Sequence, residues 1–368
     1  MKKVLFIATV VQKHINVFHL PFLKMFQDEG YRTYVAASND TDEKNITIPY
    51  CDEYTDIAFQ RNPLHPGNFS AYKKLRNLIQ NNDFDIIHCH TPVGGLLGRL
   101  AARSARKKGT RVIYTAHGFH FYKGAPWKNW LFYYPVEKIC SFFTDVLITI
   151  NQEDFNLAKL KMRAKKIEYV PGVGIDFLKY RDVQVDKVAK RMELGIPEDA
   201  FLLISVGELS KRKNHKIILE AMTKIDNARL HYAVVGNGNL RSDLEEFASS
   251  HNISDKVHFL GYRKDVAEIY KVSDACCFPS IHEGLPVALM EGMASGLPVV
   301  CSKIRGITDL IDETRGVFFN PNDSNECSHA IMDILNADIV KMGEKNQQYV
   351  RNFSIEKIIN IMKNIYES

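Results

Sequence analysis

The chain carries little that would staple it, anchor it through a membrane or draw it to nucleic acid. Its 368 residues hold seven cysteines, Cys51, Cys89, Cys140, Cys276, Cys277, Cys301 and Cys327, with no Cys-x-x-Cys pair. An odd, scattered set excludes a disulfide framework and a zinc-ribbon or redox motif. Thiols in apolar runs read as reduced core residues of a cytoplasmic protein. No apolar run approaches 18 residues, so no membrane-spanning helix is expected. The first eleven residues, Met-Lys-Lys-Val-Leu-Phe-Ile-Ala-Thr-Val-Val, imitate a secretory leader, but Gln12-Lys13-His14 follows without a small-residue cleavage site. A first buried strand accounts for them better. Charge of one sign is also scarce. The formal net charge is +5 with a pI near 8.6, which does not call for nucleic acid and suits phosphate-rich ligands or an anionic membrane surface. Gly236-Asn237-Gly238 begins like a dinucleotide fingerprint, but position 241 is Arg rather than a third glycine, so the motif is incomplete and reads as a tight turn.

Short apolar runs are abundant and alternate with helical patterns. Val4–Val10, Thr33–Ala37, Ile86–His90, Arg111–Ala116 and Val146–Ile150 form one series of expected strands. Leu202–Val206, His231–Val235, Val257–Leu260, Ala275–Phe278 and Pro298–Cys301 form a second. Strands that alternate with helices imply an α/β class with parallel, covered sheets, and two series imply two doubly wound, Rossmann-like domains. The turn-rich stretch Tyr169-Val-Pro-Gly-Val-Gly-Ile-Asp-Phe separates them. The expected domains are 1–175 and 176–353, followed by a helix over 354–368 with Ile358, Met362 and Ile365 on one face.

Candidate chemistry concentrates in Glu283-Gly-Leu-Pro-Val-Ala-Leu-Met-Glu291. Pro286 suits the first helical position, where its missing N–H costs nothing. Gly284 permits close backbone approach to a ligand. A helix beginning there would offer orphan N–H groups and a partial positive charge to an anion such as a diphosphate. Glu291, five residues in, stands about 7–8 Å along the axis, near where a nucleoside ribose would lie. Glu283 would sit where a sugar would be. An ordinary surface helix with a Glu at each end has the same spacing. Upstream, Val206-Gly207-Glu208-Leu209-Ser210-Lys211-Arg212-Lys213-Asn214 combines a strand end, a glycine and cations able to grip phosphates. A solvated basic face reads similarly. His117, in Thr115-Ala-His-Gly-Phe-His-Phe, falls at the carboxyl end of a strand, where α/β sheets place their sites. Two Asp-x-Asp triplets, Asp40–Asp42 and Asp83–Asp85, read as a polar loop and the solvated start of a strand rather than as metal ligands. From Phe119 to Tyr134 there are eight aromatics, including Trp127 and Trp130, interleaved with Lys123 and Lys128, and Arg103-Ser-Ala-Arg106-Lys107-Lys108 lies upstream. Such a basic, aromatic edge suits a membrane interface, and a helix packed on the sheet accounts for the inward rings.

His-Glu-Gly-Leu-Pro-Val-Ala-Leu-Met-Glu resembles the E-x7-E signature of retaining glycosyltransferases of family 4, and the likeness extends over essentially the whole chain. The resemblance implies the GT-B fold, two Rossmann-like domains facing across a cleft, with the last helix crossing back to the first. It implies that Glu283 contacts the donor sugar, that Glu291 binds the ribose, and that Lys213 binds the donor phosphates. The family's Arg in the Gly-Arg-Leu…Lys loop is replaced by Glu208, and Arg212 is the substitute. His117 becomes the residue near the transfer point, so His117, Glu283 and Lys213 are the expected catalytic set. Gly207, Gly236, Asn237, Tyr262, Arg263, Gly284, Leu285, Pro286 and Val287 complete the expected donor site. His14, Thr91, Gly94 and His120 are the expected acceptor side, although the first loop, Gln12 to Asn16, lacks the Gly-Gly pair of many relatives. Thr-Ala-His-Gly-Phe-His-Phe-Tyr-Lys-Gly-Ala-Pro is similar to bacterial capsule, exopolysaccharide and lipid-linked glycan enzymes. The implied partners are a UDP-sugar, with an N-acetylated hexosamine type as one option, a polyprenyl-diphosphate-linked sugar and the inner face of the cell membrane. Neither a cofactor nor a metal is expected. A nucleotide-sugar epimerase, an enzyme for a soluble acceptor and a non-catalytic partner in polysaccharide assembly remain as alternatives.

Overall fold

Thirteen strands form two wholly parallel sheets among residues 1–43 and 45–368, which the computed structural model describes. The chain divides into two units, Met1–Val173 with Ile358–Ser368, and Gly174–Lys357.

The first unit contains β1 (Lys3–Val10), β2 (Arg32–Ser38), β3 (Glu53–Asp56), β4 (Ile86–His90), β5 (Arg111–Ala116), β6 (Val146–Thr149) and β7 (Lys166–Tyr169). Their spatial order is β3-β2-β1-β4-β5-β6-β7. Register is continuous at the centre: Phe6 opposes His88, and His88 opposes Ile113. Val4, Phe6 and Ile113 on one face, and Leu5, Ile7 and Val112 on the other, are fully buried, as parallel strands covered on both sides require. The small residues of the helix Pro92–Ala101 let it settle on the second face. A Cβ at Gly95 would lie 2.3 Å from the Tyr114 ring, and one at Gly98 would lie 2.6 Å from Cys89 Sγ. The last helix, Ile355–Glu367, buries Ile358, Met362, Ile365 and Tyr366 in the same cluster as Phe6, Phe26 and Ile148.

The second unit contains β8 (Phe201–Val206), β9 (Leu230–Val235), β10 (Val257–Gly261), β11 (Ala275–Phe278), β12 (Val299–Ser302) and β13 (Gly316–Phe319), in the order β10-β9-β8-β11-β12-β13. Three strands lie outside the sequence expectation: β3, β7 and β13. All three are sheet edges of four residues each, and the fourth edge, β10, is among the expected strands. The helix after Glu283 also starts one residue later than expected. Pro286 takes the cap position with φ −78° and ψ 115°, and the helix runs Val287–Ala294.

Candidate active site

In each sheet the first and fourth strands in chain order are neighbours from which the strand order runs in opposite directions. At such a switch point the loops at the carboxyl ends diverge and leave room for a ligand.

In the second unit, β8 ends at Gly207. The loop that follows is zipped to the loop after β9: Leu209 N–H donates to Asn237 O over 3.0 Å, and Leu240 N–H donates to Leu209 O over 3.1 Å. Gly236 and Gly238 make that approach possible. Gly236 has φ +143°, and a Cβ there would lie 2.0 Å from Gly207 O; one at Gly238 would lie 2.2 Å from Leu209 O. The incomplete glycine motif is thus a loop-packing device.

The stem of Lys213 runs over Gly207, with Cε 3.1 Å from where a Cβ would be. Its ammonium donates to Glu283 Oε1 over 2.8 Å and sits 4.6 Å from the centre of the Phe278 ring. Arg212 donates to the same Oε1 over 2.7 Å, and to His282 O over 3.2 Å. Ile281 N–H bonds Arg212 O, and Asn214, at φ +56°, donates to Pro279 O and Pro321 O. The basic loop and the loop before the Val287–Ala294 helix are therefore one hydrogen-bonded body. Burial opposes ionisation of Glu283, but the two cations outweigh it and hold its carboxyl below the ordinary range. Glu208, in the position of the family's arginine, is exposed, and Arg212 lies beside Lys213 on Glu283.

The helix starting at Val287 presents its unpaired N–H groups at the same loop. Leu285 and Pro286 are buried, so of this turn the backbone rather than those side chains faces outward. Gly284 is backed by Gly306, whose φ is +74° and whose Cβ would meet Gly284 O at 2.1 Å. Arg305, also buried, reaches His282 Nε2 at 3.5 Å. Glu291 accepts a 2.6 Å hydrogen bond from Tyr180, and its burial raises its pKa. Tyr180, Arg305 and Gly306 escaped the sequence reading because each lies far along the chain from the motif it supports. Tyr262 is exposed beyond β10. Arg263 is engaged by Asp265 over 2.8 Å and by Glu193 over 2.6 Å, so its guanidinium is held in a carboxylate network. A separate groove of about 540 Å3 lies along Asn214, His215, Leu240, Asp243 and Phe247 and includes none of Lys213, Glu283 and Glu291.

In the first unit, His117 follows β5 and is half-buried. It lies beside His14, whose ring is 5.0 Å away, and beside His90 at the end of β4, with Nε2 to Nδ1 of 3.4 Å. Burial lowers His117 to about 4 and His14 to about 3, so both imidazoles are neutral near pH 7. Thr91, one residue past β4, has φ +61°, an uncommon conformation for a β-branched residue. Its Oγ1 lies 2.7 Å from Thr9 Oγ1 and accepts from Thr9 N–H, and Gly94 leaves room for it: a Cβ there would be 2.8 Å from that oxygen. Strain held at a strand end is a feature of functional loops. His120 stands apart from this group, stacked on Tyr133 at 4.7 Å. The Asp-x-Asp triplets have backbone duties. Asp40 accepts from the N–H groups of Gln12 and Lys13, and Asp85 accepts from Lys3 N–H.

Known proteins give the same two halves. A family profile described as glycosyl transferases group 1 matches residues 186–353, and one described as glycosyl transferase 4-like matches residues 3–151. The Bacillus subtilis protein EpsD, which carries a provisional glycosyltransferase name, is 38% identical over 376 aligned residues, covering 100% of this chain and 97% of that one. An Escherichia coli enzyme named UDP-Gal:α-D-GlcNAc-diphosphoundecaprenol α-1,3-galactosyltransferase is 30% identical over 315 residues, 81% of each chain. Among solved structures, Anabaena HepE in complex with UDP and glucose superposes with a TM-score of 0.83 at 18% identity over the full length of both chains. WaaG, described as a glycosyltransferase of lipopolysaccharide biosynthesis, gives 0.76 at 17% identity, covering 99% of each.

Proposed function

We propose, since this chain belongs to the group 1, family 4-like glycosyltransferases and has their GT-B fold, that it moves a sugar from a UDP-sugar to a polyprenyl-diphosphate-linked saccharide with retention of anomeric configuration. The carrying observation is the convergence of Lys213 and Arg212 on Glu283 at the start of the Val287–Ala294 helix. Two cations and a helix N-terminus meet where a diphosphate leaving group would develop charge, and preorganised charge of this kind is a large contribution to group transfer. These groups supply the stabilisation a metal would otherwise give, so the proposed transfer needs none at the diphosphate. Glu291, oriented by Tyr180, would take the ribose hydroxyls. His117, neutral, would hydrogen-bond a sugar hydroxyl, and the leaving phosphate would take the acceptor's proton on the same face. The name of the E. coli relative supports both a UDP donor and a lipid-linked acceptor. The similarity to EpsD supports a role in exopolysaccharide or lipid-linked glycan synthesis. The donor sugar would be a hexose or an N-acetylhexosamine.

We also assign to the first unit a membrane-facing helix, Trp127–Ser141. It exposes Trp127, Leu131, Phe132, Val136 and Ile139, and just past its end Arg103 lies over the Phe143 ring and Arg106 donates to Phe142 O. Trp130 and Tyr134 pack inward, and Glu137 is tied to the buried Arg99. An apolar stripe with a basic flank suits an anionic lipid surface. No helix among the described residues is long and apolar enough to cross a membrane, so attachment by this helix would be peripheral, at the inner face of the cell membrane.

The test is a transfer assay with the purified chain, labelled UDP-sugars and an undecaprenyl-diphosphate-linked sugar, with and without chelator. Turnover that is selective for one UDP-sugar, survives chelation and is lost in Lys213→Ala and Glu283→Ala is expected. Wild-type turnover in both variants would reject the site. An inverted linkage in the product by NMR would reject retention.

A further inference from the structure

The first unit holds a second constellation, of which the proposed transfer uses only His117. Four histidines from four separate segments meet at the carboxyl ends of its central strands. His14 lies in the Val11–Ile15 turn after β1, His19 before the helix Leu20–Asp28, His90 at the end of β4 and His117 after β5. Their ring nitrogens lie within 4.8 Å of one another. The His19 and His90 rings are 3.9 Å apart, and those of His14 and His19 are 4.9 Å apart. His19 and His90 are 1% and 2% exposed, yet both nitrogens of His19, Nε2 of His90 and Nε2 of His14 have no hydrogen-bond partner.

Buried polar atoms are nearly always satisfied, and leaving several together unpaired is costly. Neighbouring His88 shows the ordinary solution: its ring nitrogens bond Tyr366 Oη at 2.7 Å and Thr115 Oγ1 at 2.8 Å. A small cavity of about 20 Å3 lies against His19, His88, His90 and His117, room for one water-sized particle.

We propose that His14, His19, His90 and His117 form a binding site for one divalent ion of the zinc class. The unpartnered ring nitrogens of His14, His19 and His90 leave lone pairs for a metal. Imidazole nitrogen suits zinc, cobalt, nickel or copper, whereas magnesium and calcium take oxygen. Zinc–nitrogen bonds of about 2.0–2.1 Å set tetrahedral ligands about 3.4 Å apart. His90 Nδ1 and His117 Nε2 already stand 3.4 Å apart. Rotation of the remaining rings closes the rest, and the half-buried His14, on a short turn, has the most room to move. The site is separate from the diphosphate-binding cations of the second unit.

The experiment uses the full chain stripped with a chelator and titrated with Co2+ as a spectroscopic probe, followed by Zn2+ competition. One equivalent of Co2+ with the intense visible absorption of tetrahedral nitrogen ligation, displaced by one equivalent of Zn2+, is expected. His14→Gln and His117→Gln, both at half-buried positions and checked for folding by circular dichroism, should each weaken binding at least tenfold. Only weak octahedral-type absorption, or wild-type affinity in both folded variants, would overturn the proposal. The readout does not involve sugar transfer, so its outcome stands apart from that of the transfer assay.

Discussion

A single oxygen, Glu283 Oε1, carries two cations, and that pairing makes distinct predictions for its partners. Lys213→Ala removes the less exposed cation from the proposed diphosphate site. Its kcat is expected to fall roughly 100- to 1,000-fold, the range for losing one preorganised donor, in a steady-state assay with saturating UDP-sugar. Glu283→Gln keeps the shape but leaves Lys213 without its counter-charge. Loss of one member of a buried pair costs about 3–5 kcal/mol, and Arg212's partial exposure points to the lower end. A melting temperature several degrees lower is expected alongside the kinetic loss. His215 sets a pH dependence. Burial lowers it from 6.5 to about 4, with Nδ1 held by Tyr232 Oη at 3.0 Å. Between those values the unfolded chain takes up a proton that the folded chain refuses, so stability falls as pH drops through this window. The loss is up to about 3 kcal/mol. Urea unfolding of wild type and His215→Gln at pH 7.5 and pH 5 is expected to show the wild type losing more on acidification.

The elements show what sequence can and cannot reveal. Nine inner strands announced themselves as apolar runs, because a parallel strand buried on both faces must be apolar along its length, and the edge strand β10 did so as well. Glu53–Asp56 and Lys166–Tyr169 did not, because each of these edge strands shares its surface with solvent, whereas Gly316–Phe319 is apolar but only four residues long. Lys-Ile-Glu-Tyr carries no more apolar signal than a loop. Glu283, Glu291 and Lys213 were legible because their spacing is local to one helix and one loop. Tyr180 and Gly306 were not, since their meaning appears only when the chain folds back on itself. Gly306→Ala tests that hidden layer: a positive φ costs an alanine about 1–2 kcal/mol, and the added methyl meets Gly284 O at 2.1 Å. A lowered melting temperature and weaker UDP binding are expected by thermal shift and calorimetry. For the Trp127–Ser141 helix, Phe132→Glu with Ile139→Glu should reduce co-sedimentation with phosphatidylglycerol vesicles severalfold and leave the melting temperature within about 2 °C, since exposed substitutions change stability little.

At the scale of the molecule, the duplicated parallel sheet is the part most fully legible, because two series of strands alternating with helices admit few other architectures. The order of the strands within each sheet and three of the four edges emerge only in the folded structure. The closing helix carries one more consequence, for biosynthesis. Phe6, Phe26 and Ile148 share their cluster with Ile358, Met362 and Ile365, and His88 bonds Tyr366. Domains generally mature in the order they leave the ribosome, but here the earlier unit lacks part of its interior until the later one has been translated. Its nascent form would expose an apolar strip along β1 and β6 for the time needed to synthesise nearly two hundred further residues. At 5–20 residues per second, that interval is on the order of 10–40 s, a window in which a chaperone, rather than the chain itself, would have to cover that face.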